Sequence, residues 1–318
     1  MSVGQEASEF RTLSEMEIER LIAGLDSISE GELGISLLVA CGERAIPPLR
    51  RFLLSGPPRS VFVGRQRAVK ALIELNAVSA LIEYLTEEKH ISDPVLRYSE
   101  EAVENSAARE LGRWKTDQVF HVLLEIVSLR ALRGAIEAIG TFGRAEAVPA
   151  IIRHLEDDVA RPAAEEALRR LRCVAVEELI ATVRSPEPSA VRELPSSLLR
   201  RRSALKVLSA GRLSRADWDR LRFLIYDRDP FLSTRAAGIA LTVGDPVDKS
   251  PAIRILVEQL IANDWSVAAE AEQNLLENFA TTCSAIEAEL KARRSARDLD
   301  SLRLKARLHS IAQRGEAA

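Results

Sequence analysis

At 318 residues and 35.1 kDa the chain is long enough for about two ordinary domains. With 47% hydrophobic and 29% charged residues it is globular rather than disordered, and an aromatic content of only 4% beside abundant Ala, Leu, Glu and Arg suits helices rather than an all-β fold. The net charge of −3 and pI near 6.0 exclude a global attraction to nucleic acid or anionic membranes, and three scattered cysteines (Cys41, Cys173, Cys283) without a CxxC exclude a disulfide framework or a cysteine metal site.

The chain opens on MSVGQEASEF, acidic and polar rather than a secretory signal, so residues 1–14 are expected to be flexible. The longest uncharged run of this half, Leu33–Gly42, is ten residues. A membrane helix needs roughly 20, so a soluble, cytoplasmic chain with no membrane partner is expected. From residue 15 a nine-residue apolar motif begins to recur. It reads EIERLIAGL (17–25), AIPPLRRFL (45–53), AVSALIEYL (77–85), QVFHVLLEI (118–126), AVPAIIRHL (147–155), AVEELIATV (175–183), DWDRLRFLI (217–225) and AIRILVEQL (252–260), with a degenerate ninth at AIEAELKAR (285–293). Self-similarity at a period of about 20–50 residues marks a solenoid. Within each motif apolar residues fall at i, i+3, i+4 and i+7, as in Val148, Ile151, Ile152 and Leu155, which is one face of a helix. Proline often occupies its first turn (Pro47, Pro48, Pro149), where the missing N–H costs nothing.

An Ala- and Leu-rich second helix follows the first, as at 65–75, 161–171, 201–211 and 233–243. Its small alanines let neighbouring helices approach closely. Between the two helices, His154, Glu156, Asp157 and Asp158 could suggest a metal site. Asp227 with Asp229, and Asn263 with Asp264, stand at the same place without a histidine, so these carboxylates are read as caps and His154 as a helix-surface residue.

The stretches AEAVPAIIRHLEDDVARPAAEEALRRL and YDRDPFLSTRAAGIALTVGDP carry an apolar first helix, an Asp turn, a basic or Pro start and an Ala-rich second helix. This pattern resembles HEAT repeats, particularly the short HEAT-like type related to phycobilin lyase subunits, over roughly residues 15–290. The resemblance implies a single all-α, right-handed α-solenoid superhelix of about eight to nine helical pairs. Its repeats would span residues 15–293, followed by a C-terminal capping helix and tail at 294–318, with second helices lining the concave face. Motif starts 41 and 42 residues apart point to insertions at 86–105 and 185–202, with a shorter one at 55–64. In solenoids such insertions emerge as loops.

Catalytic signatures are missing. The four histidines lie in different units and none is followed by Glu, as the iron site of HEAT-like deoxyhypusine hydroxylase would require, and no GxxxxGKS/T, GxGxxG or HExxH run occurs. Trp114, Trp218 and Trp265 fall in unlike positions and are expected to pack rather than to form a groove of the kind HEAT-like DNA glycosylases use. Charge alternates along the chain: residues 1–43 hold two basic and nine acidic residues, and residues 44–75 hold seven and one. Aligning the second helices places Lys70, Arg109, Glu137, Glu166, Lys206, Ile239 and Gln273 in one exposed column of mixed sign, which suits a protein partner better than a phosphate backbone. A more basic column holds Arg133, Arg202 and Arg235, with Arg200, Arg201 and Lys206 close by. These arginines either receive an acidic ligand or pair with an Asp of the adjacent turn.

The sequence therefore predicts a non-catalytic protein–protein interaction scaffold without cofactor or metal. Its partner-binding residues would be Lys70, Arg109, Arg133, Arg200, Arg201, Arg202, Lys206 and Arg235. The alternatives are a phycobilin-lyase-like chaperone for a small ligand, or nucleic-acid binding through basic patches, which is possible but not favoured. Thirty-seven Arg against seven Lys fits a GC-rich bacterial genome.

Overall fold

A computed structural model describes residues 13–56, 61–189, 192–293, 295 and 297–316. It divides into two compact units, Met1–Val174 and Ala175–Ala318. The first contains helices α1 (Glu15–Ala23), α2 (Gly31–Ala40), α3 (Ile46–Ser55), α4 (Val63–Glu74), α5 (Val78–Thr86), α6 (Pro94–Leu111), α7 (Asp117–Leu129), α8 (Arg133–Ile139), α9 (Val148–Ile152) and α10 (Arg161–Arg170). The division falls inside α11 (Arg172–Arg184). The second unit continues with α12 (Pro195–Ser209), α13 (Arg215–Leu221), α14 (Pro230–Val243), α15 (Pro246–Gln259), α16 (Trp265–Glu277), α17 (Phe279–Ala292) and α18 (Leu299–Glu316). Odd-numbered helices carry the recurring apolar motif, and even-numbered ones are the second helices.

Packing follows that alternation and makes the fold an all-α solenoid. In the first unit α1, α3, α5, α7 and α9 pack each on the next, and so do α2, α4, α6, α8 and α10. In the second, α12, α14, α16 and α18 form the same series. Within each unit the core lies between first and second helices. Leu49, Leu53, Leu81, Leu123, Ile151 and Leu155 come from first helices, and Ala68, Ala107, Ala135, Ala164 and Ala236 from second ones. Gly134 shows why small residues stand there: a Cβ on it would overlap the backbone carbonyl of Asn105 on α6, whose Oδ1 accepts from Gly134 N at 2.7 Å.

Polar side chains start the helices where the sequence places them. Ser14 and Glu17 form a capping box on α1, Thr116 caps α7, and Asp229 caps α14 ahead of Pro230. Asp157 Oδ1 accepts from Val159 N and Ala160 N, both at 2.8 Å, and Asp158 pairs with Arg161 at 2.7 Å. His154 departs from the free-surface expectation. Its ring Nε2 lies 2.7 Å from the Val127 carbonyl oxygen, tying α7 to the turn after α9.

The two long spacings differ: 86–105 is mostly helix, whereas the described part of 185–194 is a loop, as expected. In 86–105 only residues 87–93 are irregular, and the rest forms most of α6, a helix lengthened to 18 residues. In 185–202, of which positions 190 and 191 lie outside the described residues, Pro188 bridges to Glu193 before α12 starts at Pro195. Of 55–64, positions 57–60 lie outside the described residues, as do 1–12 of the expected N-terminal tail and 294, 296, 317 and 318 of the C-terminal segment.

Candidate partner-binding face

The second-helix face holds most of the residues singled out by charge, and most are already committed to partners within the chain. On α4, Lys70 donates to Glu32 of α2 at 3.0 Å, while Arg67 beside it donates to the Leu25 and Ser27 carbonyls, both at 2.7 Å. Arg109 on α6 bonds Glu137 on α8 at 2.5 Å, so two members of the mixed column neutralise each other. That pair also sets the Arg109 guanidinium above its ordinary pKa, chiefly through the hydrogen bond to Glu137. On α14, Arg235 grips Glu270 of α16 with Nε and Nη2, both at 2.7 Å.

The basic column of α12 resolves into internal bridges. Arg201 is only 4% exposed; Nε donates to the Val183 carbonyl at 2.7 Å, Nη1 to Glu193 at 2.6 Å and Nη2 to Asp227 at 2.7 Å. A partner cannot reach a guanidinium so enclosed, which corrects its placement among the binding residues. Arg202 holds both carboxylate oxygens of Asp229 and stacks 4.1 Å from the Phe231 ring centroid. Arg200 pairs with Glu187. Arg201 and Arg202 thus pair with an Asp of the adjacent turn, whereas Arg200 and Arg235 pair with glutamates; a fork of N–H donors beside a carboxylate forms bonds that a surface ligand would have to break. Arg133, the first residue of α8, and Lys206 on α12 are exposed, and Arg133 makes no ion pair among the described residues. Ile239, expected in the exposed column, is buried.

What remains open on this face is a set of grooves. In the first unit a cleft of about 530 Å³ runs between α2, α4 and α6 past Glu32, Lys70, Ser106 and Arg113. In the second unit a cleft of about 580 Å³ lies between α12, α14 and α16, with Lys206, Arg235 and Gln273 in its walls. A further cleft of about 450 Å³ between α16 and α18 shares Trp265, Ala269, Gln273 and Glu277 with it. Trp265 stands between the two and is 80% exposed.

Trp265 is the residue that sequence reasoning misassigned. Trp218 does pack, fully buried, with Nε1 donating to Asp248 at 2.9 Å. Trp265 instead follows the Asp264 cap and lies off the buried stripe Val267, Ala268, Ala271 and Leu275 of α16. That offset was the available signal. Tryptophan is among the residue types most enriched at binding hot spots. Among the described residues there is no group of three or more His, Cys, Asp or Glu side chains placed to hold a metal. No helix among them is long and apolar enough to cross a membrane.

These features define a helical-repeat protein. No family profile and no curated protein matches the chain. Solved structures do: Kap121p, a helical-repeat protein, superposes with a TM-score of 0.56 at 13% identity over 94% of this chain and 37% of its own. The chain thus spans little more than a third of Kap121p. Weaker likenesses are the CpcE–CpcF complex of phycocyanin lyase from Nostoc sp. PCC7120 (TM-score 0.35, 19% identity, 74% of this chain and 94% of that one) and human deoxyhypusine hydroxylase in complex with glycerol (0.30, 14%, 89% and 99%). At 13% identity the likeness to Kap121p shows the helical-repeat fold.

Proposed function

We propose that this protein is a non-catalytic HEAT-like scaffold, cytoplasmic and bacterial, that binds another protein with its second-helix face. The observation carrying the proposal is Trp265, exposed between two adjoining clefts of the second unit. Aromatic anchors at the centre of a concave surface contribute the largest share of protein–protein affinity, up to several kcal/mol each. The paired charges favour the same reading over nucleic-acid binding. Lys70, Arg109 and Arg235 each pair with a glutamate, Glu32, Glu137 and Glu270, which suits a phosphate backbone less than free cations would.

The test is affinity capture from the native host with the wild type and with Trp265→Ala as baits. Because Trp265 is exposed and packs against little, the variant keeps the wild-type melting curve. A partner retained by the wild type is lost by the variant or weakened by roughly 30-fold, the about 2 kcal/mol of a hot-spot truncation. Equal capture by both baits would refute a site at Trp265.

A further inference from the structure

The two clefts that meet at Trp265 are unevenly charged. In the larger one Lys206, Arg212 and Arg235 stand against Glu270 and Glu277. In the smaller one Arg307 and Arg314 stand against Glu272, with Glu277 shared between the two clefts. Five basic residues thus face three acidic ones along this surface.

The three carboxylates are already engaged. Glu270 is held by Arg235, and Glu277 accepts from the Gln273 amide at 2.7 Å. Glu272 accepts from Arg307 at 3.3 Å and from Arg314 as well, so one carboxylate serves two guanidiniums. The positive excess therefore gathers at the two ends of the surface. Lys206 and Arg212, both exposed, mark one end and the Arg307–Arg314 pair the other, with Trp265 between them and 80% exposed. From α12 to α18 there are three helix-to-helix steps of roughly 8–10 Å, a span that roughly seven to nine extended residues cover. A nucleic-acid strand carries a phosphate at every nucleotide and would set some of them against Glu270 and Glu277 in the middle. A peptide carries charge only where its sequence puts it.

We propose, resting on Trp265 as the anchor of a protein partner, that the partner presents an extended acidic segment to this surface. An apolar side chain of the segment packs on the indole, and Asp or Glu residues on either side of it meet Lys206 and Arg212 at one end and Arg307 and Arg314 at the other. Aromatic contact supplies affinity here, and complementary charge sets partner choice and direction.

The test is fluorescence anisotropy of a labelled peptide of about nine residues, with a phenylalanine at its centre and acidic residues elsewhere, titrated with the whole chain. Binding is saturable and weakens as salt is raised. The unlabelled peptide shifts tryptophan emission to shorter wavelength in the wild type and not in Trp265→Ala. In Lys206→Gln/Arg314→Gln, which removes one cation from each end, affinity falls by roughly tenfold. Glu272 keeps Arg307 in that variant, so it folds, which circular dichroism verifies. Arg228→Gln/Arg254→Gln removes the same charge from exposed positions outside both clefts and leaves binding unchanged. A counterpart peptide with lysine at the acidic positions does not bind, and decathymidylate binds more weakly than the acidic peptide. No saturable binding of the acidic peptide, equal binding by Lys206→Gln/Arg314→Gln, or tighter binding of decathymidylate would overturn the proposal. Trp265-dependent capture of a partner without binding of the acidic peptide would leave the scaffold reading standing and remove the acidic segment alone.

Discussion

Replacing Arg202 with Ala is the sharpest probe of how the second unit is held together. Arg202 leaves α12 to bind both oxygens of Asp229, and Asp229 Oδ1 also accepts from Leu232 N at 3.1 Å as the cap of α14. The Asp229 side chain is 8% exposed and that of Arg202 is 30%. Breaking a fully buried pair costs about 3–5 kcal/mol, because one charge stays behind without a partner. Water reaches part of this guanidinium, so the loss here is about 2 kcal/mol. The stacking on Phe231 adds about 0.5–1 kcal/mol. Arg202→Ala therefore destabilises the second unit by about 2.5–3 kcal/mol, and Arg202→Glu by more, since it sets a carboxylate against Asp229. Lys206→Glu, one turn further along α12 and exposed, changes stability by less than Arg202→Glu does. Urea unfolding followed by circular dichroism measures all three, with hydrogen exchange at the first turn of α14 as the local readout. Wild-type unfolding for Arg202→Ala would refute the bridge and restore Arg202 as a binding residue.

Acid should loosen both units. Burial opposes ionisation of Glu100 and of Asp248, but hydrogen bonds from Tyr84 and Trp218, with Arg65 and Lys89 beside the first and Arg222 beside the second, outweigh it and hold both carboxyls below their ordinary values. Each group thus contributes stability above the unfolded carboxylate pKa that disappears as pH falls through the lower folded one; a pH series of urea midpoints should decline on the acid side, and a flat series would contradict it. His154→Ala removes the bond to Val127 and costs about 0.5–1.5 kcal/mol, and Asp157→Ala costs about 1 kcal/mol as a lost cap, both read from thermal melts. Gly134→Ala, which drives a methyl into the Asn105 carbonyl, destabilises the first unit by about 1–3 kcal/mol; a melt like that of the wild type would mean that α6 and α8 are not so closely packed.

The repeating architecture was legible because its signals are local. Apolar spacing within nine residues located the first helices, and Asp and Pro before alanine-rich runs located the second ones, as at Asp229–Pro230 and Asp264. The fate of the charged columns was not legible, because each partner lies about one repeat away. Arg202 meets Asp229 27 residues on, Lys70 meets Glu32 38 residues back, and Arg235 meets Glu270 35 residues on. Alignment of repeats finds which positions share a column, but not whether a neighbouring repeat supplies the counter-charge. Similarly, the 86–105 segment looked like a loop because it is rich in charge and holds only the start of the buried stripe of α6, Val103, which continues beyond it at Ala107 and Leu111.

The central claim, that a protein partner lies on the second-helix face, is tested most directly by placing a photo-crosslinking residue at Gln273 on that face and, separately, at Glu258 on α15. Both positions are exposed. Irradiation in the native host should give a discrete crosslinked product from position 273 that Trp265→Ala abolishes, and none from 258. Crosslinking of the same partner from 258 but not from 273 would contradict the account.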